Sequence, residues 1–351
     1  MLSKIISRQD LPKLVDALVN DFIVVAPTYE KKVPTLTEVK SSDEVAMNIL
    51  FEEKLPMLPP KKLFLPAEQT VFRYSLKDGI TEGCDALEDQ LEKDIILFGI
   101  SPCDISGISV QERVFRDNYR DELFLKMRDK TIIIGMNCLK PCYEYCFCET
   151  MGSNDPKSGY DIMLTEISNK QLIAVPNSDK GKIILRKYTE IFTEVTKKEV
   201  SAYNKTLQGK RDTFTEQFLV EGLASQIEDN IESKVWEEFT EKCLFCGSCT
   251  FVCPTCYCYS VKEKVAVNLQ DGERVRQWDS CYYPEFALVA GPHNFRGRQD
   301  QRFRYRYLHK FVDIPRRYNV EGCIGCGRCV AYCPTQIDVR DVLRKIRGES
   351  Q

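Results

Sequence analysis

The amino-acid sequence predicts an α+β multidomain protein built from three consecutive parts. Residues 1–195 are expected to form an α/β domain with cysteine-rich loops, residues 196–241 a helical connector, and residues 242–351 a helical domain with two dense cysteine runs. Three observations support this division: apolar segments of strand length in the first half, a charged stretch with helical spacing in the middle, and the cysteine runs near the end. A chain of 351 residues is long enough for two or three such parts.

The first part begins with a predicted helix and continues with short strands. Residues 11–20 have the apolar spacing of a helix, and residues 22–27 are typical of a buried strand that ends at a proline. Residues 59–66 (PPKKLFLP) and 70–75 are two further strand candidates, and residues 82–93 are polar and helix-like. Later segments predict a strand pair and a helix at residues 161–167, 171–176 and 180–192.

Two segments, residues 94–100 and 131–137, are apolar almost throughout, which is typical of strands covered on both faces of a parallel sheet. Each is followed within three residues by a cysteine, Cys103 or Cys138. Because sites in open α/β sheets gather outside the carboxyl ends of strands, we expect these two thiols to meet there.

Five cysteines near these strand ends predict a metal site, which we call the third cluster site. Its expected ligands are Cys103, Cys138, Cys146 and Cys148, with Cys142 as a spare. The alternative is that free cysteines are small buried hydrophobic side chains. That alternative suits Cys84, which stands alone in a polar stretch, better than it suits the C-F-C pair, whose neighbouring thiols are prone to oxidation unless a metal holds them.

The connector is highly charged, and its apolar residues recur at helical spacing. They are Phe214, Phe218, Leu219, Leu223, Ile227, Ile231, Val235 and Trp236. We interpret this stripe as core packing rather than as a partner surface.

The C-terminal part contains two runs with the pattern C-x2-C-x2-C-x3-C-P, the spacing that holds cubane iron–sulfur clusters in bacterial ferredoxins. Small residues let such loops curl around a compact core; here they are Gly247, Ser248, Gly325 and Gly327. In two-cluster ferredoxins the fourth cysteine of each run binds the other cluster. The pattern therefore predicts a two-cluster ferredoxin-like domain with two 4Fe-4S clusters.

The crossing rule gives two ligand sets. The first cluster site takes Cys243, Cys246, Cys249 and Cys333, and the second cluster site takes Cys323, Cys326, Cys329 and Cys253. Structural zinc is the alternative, since two C-x2-C pairs can make a four-thiolate site. Each run, however, supplies four closely spaced thiolates, and the pattern occurs twice, which favours iron–sulfur clusters over a zinc-stabilised binding module.

Three further cysteines, Cys256, Cys258 and Cys281, lie between the two runs, and we call them the inter-run cysteines. They are candidates for additional metal ligands, for a further cluster with a non-cysteine ligand, for groups beside the clusters, or for simple buried thiols. A long basic insertion, residues 259–320, interleaves arginines with aromatic residues. These are Arg274, Arg276, Arg296, Arg298, Arg302, Arg304 and Arg306 with Phe295, Phe303, Tyr305 and Tyr307.

Such interleaving occurs in nucleic-acid sites, but the net charge of −3 argues against a nucleic-acid partner. We expect the arginines to shield clusters or to dock subunits. The chain has no phosphate-binding loop and no G-x-G-x-x-G after a strand, so no flavin or nucleotide site is predicted. Neither His293 nor His309 fits a nucleophile–base pair or a zinc triad. We predict no catalytic residue on this chain.

The 17 cysteines are an odd number, and eight lie in the two runs, which makes a secreted disulfide framework a poor explanation. The N-terminus lacks the apolar core of a signal peptide, and no apolar run reaches membrane-spanning length. We therefore expect a cytoplasmic protein of anaerobic habit, without a membrane partner. A chain with several clusters and no substrate site is expected to carry electrons between other proteins.

Several segments together resemble one family of dicluster electron-transfer subunits. They are CPTCYCY, WDSC, VAGPHNFR, RFRYRYLHK and GCIGCGRC, with PPKKLF, PCDI, GMNC and YCFC in the first half. The family includes the β subunits of cytoplasmic sulfhydrogenases, which are NAD(P)H-linked nickel–iron hydrogenases, and the iron–sulfur electron-transfer subunit of anaerobic sulfite reductase. The resemblance covers most of the chain, and the first half is more similar to the sulfhydrogenase β subunit.

The resemblance implies a function and partners. The family's cysteines fall on Cys103, Cys138, Cys146 and Cys148, which implies a third iron–sulfur cluster there. It also implies a reductase-type subunit that binds FAD and NAD(P)H, and a catalytic subunit with nickel–iron or sirohaem chemistry. The chain would then be the electron-transfer subunit of a soluble multi-subunit NAD(P)H-linked oxidoreductase, of hydrogenase type first and of sulfite reductase type as the alternative.

Overall fold

The computed structural model describes residues 3–52, 54–83, 93–117, 119–215, 220–291 and 293–349. Its strands are β1 Lys4–Ser7, β2 Ile23–Glu30, β3 Val33–Val39, β4 Glu68–Ser75, β5 Gly79–Glu82, β6 Ile95–Ile100, β7 Thr131–Met136, β8 Ile162–Ser168, β9 Gln171–Pro176, β10 Thr193–Glu194, β11 Tyr259–Val265, β12 Asp271–Trp278, β13 Leu288–Val289 and β14 His293–Asn294.

The helices are α1 Leu11–Asp21, α2 Met47–Phe51, α3 Lys61–Phe64, α4 Pro102–Arg116, α5 Glu122–Asp129, α6 Asp179–Lys187, α7 Lys197–Thr213, α8 Leu223–Asp229, α9 Val235–Lys242, α10 Ser248–Phe251, α11 Gln299–Leu308, α12 Ile314–Tyr318, α13 Arg328–Ala331 and α14 Val339–Ile346. Short 3-10 turns lie at Arg8–Asp10, Ser42–Glu44, Thr189–Ile191 and Pro284–Ala287, and a π-helical turn spans His309–Asp313. None of these helices is both long and apolar enough to cross a membrane, within the part of the chain that the structure describes.

An eight-stranded sheet organises the first half, in the order β10-β1-β9-β8-β7-β6-β2-β3. Its centre is parallel, because β6 pairs in parallel with both β2 and β7, and β7 with β8. Helix α1 packs its apolar stripe on one face, whereas α4 and α5 cover the other. Residues 131–136 are therefore wholly buried, as their apolar composition predicts.

The mixed α and β architecture is confirmed, and most predicted elements are present. The segment 59–66 is an exception: the sequence predicts a strand there, but Lys61–Phe64 is a short helix. Pro59 and Pro60 open this turn, since their carbonyls accept from Lys62 and Leu63, and a fixed proline φ suits the start of a helix. The helix expected at 180–192 ends at Lys187 and is followed by a 3-10 turn.

Two expectations fall partly outside the described residues. The helix-like segment 82–93 includes residues 84–92, and Cys84 lies among them. The connector forms α7, α8 and α9, and four residues of its apolar stripe are buried, namely Phe214, Leu223, Ile227 and Trp236. Phe218 and Leu219 of that stripe are not among the described residues.

The insertion 259–320 is predicted to lie within a helical domain, but it begins with a β-hairpin. Strands β11 and β12 join β4 and β5 of the first part in a four-stranded sheet, ordered β11-β12-β4-β5, in which β12 pairs with β4. Arg276 of β12 is buried and pairs with Asp121, and Trp278 Nε1 donates to the carbonyl of Leu65 at 2.8 Å. The hairpin thus fastens the cysteine-rich C-terminal part to the first part.

The rest of the insertion contributes a buried row of cations. Arg302, Arg306 and Lys310 recur at intervals of four along α11 and the π-helical turn, and all three are buried. Residues four apart share one face of a helix, so these cations point to the same side. Phe303, Tyr307 and the partly buried Tyr305 of α11 pack in a hydrophobic core that also contains Trp236. The alternation of basic and aromatic residues therefore encodes two adjoining buried rows.

Candidate metal centre

The two cysteine runs adopt the same backbone turn. Phe245 and Gly247 have φ angles of +52° and +76°, and the corresponding Gly325 and Gly327 have +64° and +76°. Gly247 directly precedes the short helix α10, and Gly327 directly precedes α13. These two helices pack against each other. Glycine adopts positive φ at little cost, so Gly247 and Gly327 suit this turn, whereas Phe245 holds it at an energetic cost.

The four cysteines of the first cluster site line one cavity of about 30 Å³. Cys333 and Cys329 of the second run also line it, whereas Cys253, the fourth cysteine of the first run, does not. Tyr282, Phe303 and Tyr307 form apolar walls of the same cavity, and Arg306 supplies a cation. Burial raises the pKa of Cys249 to about 12, so this thiol needs a nearby positive charge, such as a metal core, to become a thiolate.

The second cluster site is buried at Cys253 and Cys326 and half-buried at Cys323 and Cys329, and its thiols interact with one another. Cys253 lies within electrostatic range of Cys323, Cys326 and Cys329. The pKa of Cys323 is raised to about 12, chiefly by burial and also by the neighbouring Cys329 and Cys253, while Lys310 opposes the rise. Four soft donors held together out of water fit a group that brings its own positive charge.

The third cluster site lies at the carboxyl ends of neighbouring parallel strands. Cys103 is in the first turn of α4, after β6, and Cys138 follows β7. The Sγ atoms of Cys138 and Cys142 are 3.6 Å apart, and Cys142 also interacts electrostatically with Cys103 and Cys146. Burial raises the pKa of Cys146 to about 11. The structure thus brings Cys142, the predicted spare, into the same group as the four predicted ligands.

The second and third cluster sites share backbone contacts. Phe147 N donates to the carbonyl of Gly325 at 2.8 Å, and Cys146 Sγ lies 3.4 Å from the carbonyl oxygen of Cys326. Ser153 Oγ adds a bond to the carbonyl of Ile324 at 2.5 Å. The loop that holds Cys146 and Cys148 therefore lies directly on the second run.

This contact predicts a marked effect of Gly325→Ala. A Cβ atom on Gly325 would lie 2.6 Å from the carbonyl carbon and oxygen of Phe147 and 2.7 Å from Cys148 N, which are backbone atoms that cannot rotate away. We expect a loss of about 1–3 kcal/mol in the free energy of unfolding, measured by denaturant titration without air. Gly348→Ala is the control, because its φ is also positive (+73°) but no atom lies within 4 Å. Equal effects of the two substitutions would contradict the role of the contact.

A buried ion pair also joins these two sites. Arg328 lies inside the second run, and its guanidinium donates to both carboxylate oxygens of Asp104 at 2.7 and 2.8 Å. Arg328 Nε donates to the carbonyl of Pro56 at 2.9 Å. The Arg328 and Asp104 side chains are 0% and 3% exposed. Asp104 follows Cys103 in α4, so the pair fixes the second run against the helix that carries a third-site thiol.

Buried cations border the thiols from two other sides. Lys310 Nζ donates to Thr255 Oγ1 at 2.5 Å and to the carbonyl of Gly322 at 3.0 Å. Burial opposes its charge, but the thiols of Cys253, Cys256 and Cys323 outweigh this and raise the pKa of Lys310. Lys61 Nζ donates to the carbonyls of Thr250 and Cys256 at 3.1 and 2.9 Å, although burial lowers its pKa.

Sequence reasoning did not single out Asp104, Arg328, Lys61 or Lys310. Asp104 and Arg328 each adjoin a predicted ligand, and Lys310 continues the four-residue spacing of Arg302 and Arg306. These neighbours and this spacing are the sequence features that could have indicated the three residues. Lys61 carries no such signal, because the sequence around it predicts a strand.

The three inter-run cysteines converge as well. Cys256, Cys258 and Cys281 line a separate cavity of about 220 Å³, together with His309 and Lys310. Burial lowers the pKa of His309 to about 4, so its imidazole is neutral at physiological pH. His293, by contrast, is exposed, and its ring contacts Phe295.

A single metal ion draws at least three donor side chains around one point, and no His, Cys, Asp or Glu side chains form such a group within the described residues. A cubane has a larger core, around which its four thiolates are spread. The cavity bordered by all four cysteines of the first cluster site has the donor set that such a core requires.

Comparison with known proteins supports the same chemistry. The family of 4Fe-4S dicluster domains matches residues 242–337. The chain is 35% identical over 325 residues to sulfhydrogenase 2 subunit beta of Pyrococcus furiosus, an alignment that covers 92% of each chain. No solved structure gives a significant match. The resemblance that the sequence motifs indicated is confirmed, and the chain belongs to the family of sulfhydrogenase β subunits.

Proposed function

We propose that this chain is an iron–sulfur electron-transfer subunit of a hydrogenase-type complex, and that it passes electrons between an FAD subunit that uses NAD(P)H and a catalytic subunit. One observation carries most of this proposal: the loops assigned to the second and third cluster sites touch through backbone atoms, and cysteines of both runs line the cavity of the first site. Three cofactor sites in series are the arrangement that a conductor of electrons needs. The similarity to a sulfhydrogenase subunit supports the hydrogenase assignment.

The ligand sets are part of the proposal. The first cluster site is assigned to Cys243, Cys246, Cys249 and Cys333, the second to Cys323, Cys326, Cys329 and Cys253, and the third to Cys103, Cys138, Cys146 and Cys148. Bound iron–sulfur clusters supply one-electron transfer. The chain's own residues supply thiolates, exclude water through aromatic walls such as Tyr282 and Phe303, and set the local charge through Arg306 and Lys310.

We further propose that the partners are a reductase-type subunit with FAD and a catalytic subunit with nickel and iron, and that the complex works in the cytoplasm. No nucleotide or flavin site is assigned to this chain, and the division at residues 195 and 241 stays a working boundary. The iron–sulfur subunit of an anaerobic sulfite reductase is the second candidate, because the motifs shared with that family do not distinguish the two catalytic partners.

The test is a cofactor count on the native complex, purified without air through a tag on this chain. Nickel and FAD without sirohaem are the expected result. Sirohaem without nickel would replace the hydrogenase assignment by sulfite reduction. Zinc without iron would overturn the electron-transfer proposal and leave a zinc-stabilised binding module.

The crossed ligand assignment makes its own prediction. Cys333→Ser is expected to remove or alter the electron paramagnetic resonance signal of the first cluster site and to leave that of the second, because Cys333 lines the cavity of the first. Cys253→Ser is expected to have the opposite effect, since its thiol lies among those of the second site. Signals that change the other way round would show that each run binds its own cluster.

A further inference from the structure

The inter-run cysteines line a cavity beside the second cluster site, where the thiol of Cys256 is within hydrogen-bonding reach of that of Cys253. Cys256 and Cys258 follow the first run, and Cys281 follows β12, yet the structure places all three on the wall of one cavity of about 220 Å³. None of them lines the cavity of the first cluster site. The thiols of Cys258 and Cys281 are within hydrogen-bonding reach of each other. Simple buried thiols would fill space, whereas these border a cavity that is left open.

The same cavity is surrounded by buried positive charge. Arg306 and Lys310 line it, and Lys61 reaches its edge through the carbonyl of Cys256. Arg306 Nε is buried and has no hydrogen-bond partner among the described residues. The described residues that line the cavity include no aspartate or glutamate. Because buried cations need compensating negative charge, the cavity suits a negatively charged occupant.

The donor set limits what that occupant is. Thiolates select soft metals and iron–sulfur cores, and imidazole nitrogen replaces cysteine at iron in some clusters. His309 is the one histidine among the described residues that line the cavity. A zinc ion with three cysteines and one histidine is the smaller alternative, but a single ion needs its donors around one point, and no such group forms within the described residues.

We propose that Cys256, Cys258 and Cys281 bind a further iron–sulfur cluster, with His309 as the fourth ligand. This inference rests on the proposed function, since it takes this chain to assemble iron–sulfur clusters. The negative charge of the thiolates around such a cluster would compensate Lys310 and Arg306. The site lies beside the second cluster site, because Lys310 contacts Thr255 and Gly322 next to Cys253 and Cys323.

The first test compares Cys281→Ser with Phe286→Leu in the full chain within its complex, purified without air. Phe286 lines the same cavity but offers no donor atom, so its substitution is the matched control. We expect Cys281→Ser to lose about four iron and four sulfide per chain and one reducible paramagnetic signal, as expected for a cubane. Phe286→Leu should keep all three. Unchanged iron and sulfide in Cys281→Ser, or loss of zinc instead, would overturn the proposal.

The second test needs no cysteine variant. The chain has two histidines, so isotopic labelling with 15N-histidine marks only His293 and His309 within this chain. Pulsed electron paramagnetic resonance of the reduced wild-type protein should detect a strong 15N coupling that His309→Ala abolishes and His293→Ala keeps. Absence of this coupling would remove His309 as a ligand. A preparation without any iron would instead defeat the proposed function, whereas iron that Cys281→Ser leaves unchanged defeats this inference alone.

Discussion

Replacing Arg328 by methionine is expected to lower the free energy of unfolding by about 3–5 kcal/mol, the range found when one partner of a buried ion pair is removed. The substitution leaves the Asp104 carboxylate buried at 3% exposure without its bidentate partner, and the carbonyl of Pro56 without its donor. Because Asp104 adjoins Cys103 and Arg328 adjoins Cys329, the third cluster site should also become labile. The measurement is denaturant unfolding without air, followed by circular dichroism and by visible absorbance.

Two variants control this prediction. Arg298→Met removes an exposed arginine that pairs with Asp300 at the surface, and it should leave unfolding unchanged within error. The double variant Arg328→Met with Asp104→Leu removes both charges and should be more stable than Arg328→Met alone, since buried ion pairs can be replaced by apolar groups. A single variant as stable as wild type, or a double variant less stable than the single one, would contradict this account.

The pair also marks the limit of what the sequence could predict. The cysteine spacing identifies the cluster domain because ligands of one core must lie close together along the chain. Asp104 and Arg328 are 224 positions apart, so no local sequence pattern links the two residues. Their contact follows from docking of the second run on α4, which only the folded chain reveals.

The two errors in the fold have related causes. Lys61 and its neighbours form a short, largely apolar segment that suits a strand, but the preceding prolines favour a helical turn, and the buried Lys61 side chain is held by carbonyls of Thr250 and Cys256. The hairpin β11–β12 was missed because both strands are rich in charged residues and β11 is largely exposed, so their apolar periodicity is weak. The strands at 95–100 and 131–136 were found because both of their faces are buried.

The third cluster site shows an intermediate case. The strands that precede Cys103 and Cys138 are parallel neighbours, so both cysteines follow strand ends at one edge of the sheet. The spacing could not decide between Cys142 and the other thiols, and the structure places Cys142 Sγ 3.6 Å from that of Cys138. Ligand choice among adjacent thiols depends on side-chain direction, which the linear order of cysteines does not encode.

Replacing Lys310 by methionine is expected to lower the reduction potential of the cluster proposed for the second cluster site, which includes Cys253 and Cys323. Lys310 is 2% exposed, and the thiols of these residues raise its pKa against the effect of burial, so it stays protonated and positive. Reduction adds negative charge, which a nearby cation stabilises. Unit charges roughly 8 Å apart interact by about 2 kcal/mol at an effective dielectric constant of about 20. Its loss corresponds to a fall of roughly 90 mV for one electron.

The measurement is a redox titration without air, monitored by electron paramagnetic resonance. Lys310→Arg keeps the charge and should hold the potential near the wild-type value. Lys62→Met is the matched control, because Lys62 is a half-buried lysine whose Nζ contacts Thr35 rather than any cysteine. A potential that falls equally in all three variants would reflect general loosening of the protein. A fall confined to Lys310→Met would assign the shift to one buried charge, and would show that this lysine helps to set how readily this chain accepts electrons.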